Sequence, residues 1–101
     1  MGAIFGGSIA NREKERLAQS HANPIVAIHS RDSFRYYENG HWVTVSGELM
    51  SGSTGVDRVI YRDSQMLWND AGKQLSQEER KKVLQKIGEH LDKRKVRWEF
   101  R

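Results

Sequence analysis

The amino-acid sequence predicts an α+β fold: a mainly antiparallel sheet of four or five strands, one long helix packed on one face, and a short N-terminal helix. Three stretches carry that expectation. "SFRYYENGHWVTVSGELM", residues 33–50, sets aromatic and β-branched residues on both sides of an Asn-Gly pair, and that pair readily takes the two positive-φ positions of a type I′ hairpin turn. "SQEERKKVLQKIGEHLDK", residues 76–93, opens on a Ser-x-x-Glu capping box and repeats apolar residues at helical spacing. "KVRWEFR", residues 95–101, alternates strictly between apolar and charged side chains, the period of a half-buried strand.

Residues 1–24 read as a flexible or weakly helical leader. The Gly-rich start "MGAIFGGSIA" can bury little. "NREKERLAQSH", 11–21, has an N-cap candidate in Asn11 and good helix formers, but Ile9 and Leu17 are nearly its only core candidates. Pro24 separates this segment from a single domain at 25–101, which begins with the β-branched strand "IVAIHS".

With Asn39 and Gly40 at the centre of the turn, the hairpin register follows. Glu38 faces His41, Tyr37 faces Trp42, Tyr36 faces Val43, Arg35 faces Thr44 and Phe34 faces Val45. Side chains alternate between faces, so Phe34, Tyr36, Val43, Val45 and Leu49 form an apolar set, while Arg35, Tyr37, Trp42, Thr44, Ser46 and Glu48 form an amphipathic one. "SGSTG", 51–55, is a flexible connection to the strand "VDRVIYR", with Val59, Ile60 and Tyr61 as its packing residues. "DSQMLWND" reads as a short helical turn or loop that plugs the sheet edge. In the long helix, Val83, Leu84, Ile87 and Leu91 share one face and the other is mostly charged. Val96, Trp98 and Phe100 line one side of the closing strand. The resulting order is β-β-β-β-α-β.

Composition narrows the function. The 101-residue chain has no cysteine and hence no disulfide or thiolate ligand, which fits a reducing cytosol. It shows no basic, apolar secretory start, has Gly at position 6 where a myristoylation pattern needs Ser or Thr, and contains no run near 20 apolar residues. A cytoplasmic location away from membranes is the expectation. A domain of this mass should expose about 5,900 Å², so a standard partner footprint of about 800 Å² is large enough to be its whole task.

No catalytic pattern forms. His21, His29, His41 and His90 lack metal-ligand spacing, "SGSTG" lacks the lysine of a phosphate loop, Glu48 and Asp57 have no nucleophile beside them, and no serine sits in an elbow motif. We expect no enzyme, no metal and no cofactor. Charge is uneven: Lys and Arg outnumber Asp and Glu by nine to five over residues 76–101, whereas residues 25–75 carry five bases and six acids. Arg80, Lys81, Lys93, Lys95 and Arg97 are therefore candidates for phosphate contacts in a small nucleic-acid-binding module. The plainer reading of the same residues is a solvated helix face with i, i+4 pairs such as Glu78 with Lys82. On the hairpin, Tyr37 and Trp42 read either as a cross-strand pair covered by the N-terminal segment or, with Arg35, Thr44 and Glu48, as a partner-binding patch of the composition enriched at hot spots.

With the hairpin, "VDRVIYR", "MLWND", the capped helix and the closing strand in place, residues 25–100 resemble the small α+β immunity proteins. Those are encoded beside toxins in bacterial polymorphic-toxin and contact-dependent growth-inhibition systems. The likeness lies in element order, Gly47-Glu48, the lone turn Trp68 and the S-x-E-E-R run at 76–80. It implies a cytoplasmic inhibitor that binds one cognate toxin domain and performs no chemistry. The chain departs from the pattern where Asn69, Asp70 and Ala71 follow Trp68 without a proline. Because the sheet portion is close to neutral, a toxin partner is expected to meet the sheet face and its loops, or to be acidic itself. Either edge strand could serve a homodimer, and nothing in the sequence selects between monomer and dimer.

Overall fold

The computed structural model describes residues 12–51 and 55–101. The expected N-cap Asn11, core candidate Ile9, Gly-rich start and most of the "SGSTG" connection lie outside the described residues. The described part of helix α1 is residues 12–19. It is followed by strands β1 (Ile25–Ser30), β2 (Ser33–Glu38), β3 (His41–Leu49), β4 (Arg58–Ile60), β5 (Leu67–Trp68) and β6 (Lys73–Gln74), helix α2 (Gln77–Lys93) and strand β7 (Trp98–Phe100). Five strands form one sheet in the order β1-β2-β3-β4-β7, and β5 with β6 makes a separate two-stranded ribbon. The α+β class, the mainly antiparallel sheet and both helices match the sequence expectation.

The β2–β3 hairpin takes the expected register pair for pair, from Glu38 opposite His41 to Phe34 opposite Val45. Asn39 and Gly40 have φ of 52° and 77°, the two positive values that the turn requires. Phe34, Tyr36, Val43 and Val45 are completely buried against Val83, Ile87 and Leu91 of α2, with Ile60, Met66 and Leu75 completing the core. At about 1.5–3 kcal/mol for each large apolar side chain, this face supplies most of the burial energy.

Helix α2 starts where its capping box dictates. Ser76 Oγ accepts from the Glu79 N–H at 3.1 Å, and the Glu79 carboxylate accepts from the Ser76 N–H at 2.8 Å. Between β3 and β4 the chains approach so closely that a Cβ on Gly47 would lie 2.4 Å from both the Phe34 ring and the Val59 carbonyl oxygen. Glycine is required there by space.

Four features differ from the sequence reading. β7 pairs with β4 in parallel, Arg58 opposite Trp98 and Ile60 opposite Phe100, because α2 lies between the two strands in sequence and returns the chain in the same direction. Leu49 is 37% exposed, since it sits beyond Ser46, the last β3 residue paired with β2, where β3 pairs with β4 alone, Leu49 opposite Arg58. Tyr61 lies outside β4 and turns its hydroxyl to Glu48 at 2.7 Å. "MLWND" is a strand and its turn, not a helical turn: Asn69, Asp70 and Gly72 all adopt positive φ and reverse the chain from β5 into β6.

Candidate protein-binding face

The side of the hairpin opposite α2 carries Arg35 and Tyr37 from β2 and Trp42, Thr44 and Glu48 from β3, because successive strand residues alternate between faces. The structure assembles four of these five. The Arg35 guanidinium lies over the Trp42 ring, 4.3 Å from its centroid. Its Nε donates to Thr44 Oγ1 at 3.3 Å, and the Thr44 hydroxyl points to Asp70 Oδ2 at 3.5 Å. Arg35, Trp42 and Thr44 are half-buried, so the cluster is held in place yet reachable from solvent. Glu48 is exposed four residues further along β3, about 13 Å away at strand rise, and it is joined to Tyr61 rather than to the cluster.

Tyr37 must be corrected as a surface contact, because its side chain is completely buried. Helix α1 lies over this face, and Glu13 accepts hydrogen bonds from the Tyr37 hydroxyl at 3.0 Å and from Arg35 at 2.8 Å. Burial pushes the Tyr37 phenol above its ordinary pKa; Glu13 adds to the rise, while Arg16 and Arg35 oppose it. Of the two sequence readings, cover by the N-terminal segment applies to Tyr37. Trp42 keeps a solvent-facing part.

Sequence reasoning missed Glu13, Asn69 and Asp70. Asn69 closes the side of β3 that β4 is too short to reach: its N–H donates to the Trp42 carbonyl at 2.6 Å and its side-chain oxygen accepts the Trp42 N–H at 3.0 Å. The Asn-Asp-Ala-Gly run was the available signal, since such residues tolerate the left-handed backbone of a turn. Glu13 carries no local signal for its place on the sheet, because the sheet residues it meets, Arg35 and Tyr37, lie more than twenty residues away.

The basic candidates do not converge. Arg80 donates to the carbonyls of Ser64 and Arg62 at 3.1 and 2.6 Å. Arg97 forks onto Asp57 at 3.0 and 3.2 Å, which holds the Asp57 carboxyl below its usual range. Lys81, Lys93 and Lys95 are exposed and make no ion pair among the described residues. Arg80 and Lys93 stand thirteen positions apart on α2, about 20 Å along its axis.

Two concavities accompany the face. A cleft of about 530 Å³ between the hairpin turn, the β5–β6 ribbon and α2 is lined by Glu38, His41, Trp68, Lys73 and Lys82. His41 meets Trp68 edge to face there at 6.2 Å, and Glu38 is paired with Lys82. A shallower groove between α2 and β7 exposes parts of Leu84, Trp98 and Phe100. Among the described residues no three His, Asp or Glu side chains gather as a metal site would need, and no helix is long and apolar enough to cross a membrane. A scan against protein-family models, a search of curated proteins and a search of solved structures each find no match.

Proposed function

We propose that this protein is a non-catalytic binding protein, an immunity protein that neutralises a cognate bacterial toxin domain in the cytoplasm by direct contact. The observation that carries this reading is the Arg35–Trp42–Thr44 cluster. A tryptophan and an arginine are stacked, half-exposed and pre-ordered on the sheet face that α2 leaves free. Pre-ordered Trp and Arg side chains lose little entropy on association and are the commonest anchors of protein interfaces. The patch is therefore Arg35, Trp42 and Thr44 with Asp70 beside them, and Glu48 with Tyr61 at its rim.

Co-expression with the product of the neighbouring gene tests the reading. The pair is expected to co-purify, and Trp42→Ala should weaken the complex by about 2 kcal/mol or more while the free protein's melting temperature moves by only a few degrees. Co-purification indifferent to Trp42→Ala would remove this face from the interface.

A second reading rests on Lys81, Lys93 and Lys95, whose exposed ammonium groups make no ion pair among the described residues and suit phosphate contacts. If they bind nucleic acid, a gel-shift assay at two salt concentrations will show affinity falling steeply with salt. The immunity reading expects no shift above background.

A further inference from the structure

We propose that residues 12–19 are a displaceable cover, and that the surface beneath them receives a carboxylate-bearing helix presented by the partner protein. This rests on the protein-binding reading above and states what the partner must offer.

The sheet side of the contact is a built carboxylate receptor. Arg35 is fixed by Thr44 and by its stack on Trp42, independently of α1. Tyr37, its neighbour on β2, directs its hydroxyl to the same point. Both donors converge on one carboxylate, which Glu13 supplies from within the chain.

The occupant is held lightly. The residues of α1 that turn toward the sheet are Glu13, Arg16 and Leu17, all half-buried, while Arg12, Lys14, Glu15, Ala18 and Gln19 are exposed. Among the described residues of α1, Leu17 is the one apolar side chain on that inward face. Elements with so little apolar contact open at a small fraction of the global free energy. The hinge is anchored: Ser20 Oγ accepts the Gly40 N–H at 2.8 Å and the Ser20 carbonyl accepts the Asn39 N–H at 2.9 Å. Opening is thus local and leaves the hairpin turn in place. A partner helix that offers Asp or Glu at the position of Glu13, flanked by more than one apolar residue, makes the Arg35 and Tyr37 contacts that Glu13 makes and adds apolar burial beside them. Arg35, the cation left on the sheet side when Glu13 leaves it, favours an acidic occupant.

The test uses the full chain and two helix-stapled peptides of residues 12–20, one with Glu13 and one with Glu13→Ala. Binding is followed by the indole NMR resonance of Trp42, with that of Trp98 on the far face as a control for folding. A Glu13→Ala/Leu17→Ala chain should bind the Glu13 peptide at least tenfold more tightly than the wild-type chain does. It should bind the Ala peptide at least tenfold more weakly than the Glu13 peptide. In the untouched wild type, amides of residues 16–19 should exchange at least tenfold faster than those of residues 83–91.

Equal binding by the two chains, equal binding of the two peptides, or exchange of 16–19 as slow as in α2 would overturn the proposal. So would loss of the dispersed Trp98 signal in the doubly substituted chain, since α1 would then be part of the core. An oligonucleotide that displaces the Glu13 peptide more strongly than an acidic helical peptide would assign the receptor to phosphate instead. The two readings fail separately. Peptide binding as expected with no co-purified toxin would take away the immunity reading alone. A toxin bound equally by wild-type and doubly substituted chains would take away the cover alone.

Discussion

The two faces of the β2–β3 hairpin are made from interleaved residues of the same two strands, and they are held by different physics. On one side Phe34, Tyr36, Val43 and Val45 meet the 17-residue α2 through Val83, Ile87 and Leu91. On the other, Arg35 and Tyr37 meet the described part of α1 through the Glu13 carboxylate, beside Arg16 and Leu17. Apolar burial is non-directional and accumulates with area. Hydrogen bonds to a charged group are directional, and another carboxylate can make the same ones. Stability is therefore concentrated on the α2 face and recognition on the α1 face.

The largest expected effect sharpens that contrast. Phe34→Ala removes a completely buried ring from the α2 face and should lower stability by about 3–5 kcal/mol. Tyr37→Phe keeps the ring on the other face and deletes only the hydroxyl that donates to the Glu13 carboxylate, so about 1.5–3 kcal/mol is expected. Urea denaturation of both variants is the measurement, and equal losses would mean that α1 is as integral to the core as α2. Ser76→Ala removes the hydroxyl that accepts the Glu79 N–H and keeps the bond from the Ser76 N–H to Glu79; it should cost about 1 kcal/mol, within a range of 0.5–2. Because α2 carries the core, that loss should appear in global unfolding and not as local fraying.

Elements specified by contiguous chemistry were legible in the sequence. Asn39-Gly40 sets the hairpin register, and the box of Ser76 and Glu79 sets the start of α2, because each is a bond or backbone preference within four residues. The alternation that puts Arg35, Trp42 and Thr44 on one surface was legible for the same reason. What was hidden depends on distant segments. Burial of Tyr37 requires a helix whose inward face shows a single leucine, too faint a period to predict docking. The parallel seat of β7 beside β4 depends on the path of α2 over the sheet, which no local pattern encodes. The β5–β6 ribbon follows from three positive-φ residues in a row of four; Met66, Leu67 and Trp68 before them pointed to a segment against the sheet edge but not to the strand pair it forms.

The smallest expected effect separates the faces by acid. The Ser76 N–H bonded to Glu79 holds that carboxyl below its ordinary range. Burial lowers the His90 pKa, with Arg94 and Lys93 adding to the shift; Lys86 and Glu89 are the other charged groups lining the same hollow, beside Asn23 and Val26. Both folded values lie below the unfolded ones, so both groups contribute stability that is present above the unfolded pKa and lost as pH falls through the folded one. His90 acts first, from about pH 6.5 downward, and Glu79 from about pH 4.3 downward. Melting temperatures taken between pH 7 and pH 3 should therefore fall in two steps, the first abolished by His90→Gln and the second reduced by Glu79→Gln. Both groups belong to α2, so amide exchange in residues 16–19 should hold steady through the first step while exchange in α2 quickens. If the two helices quicken together between pH 7 and pH 5.5, the hairpin transmits a change on one face to the other, and the division between a stabilising and a recognising surface fails at its root.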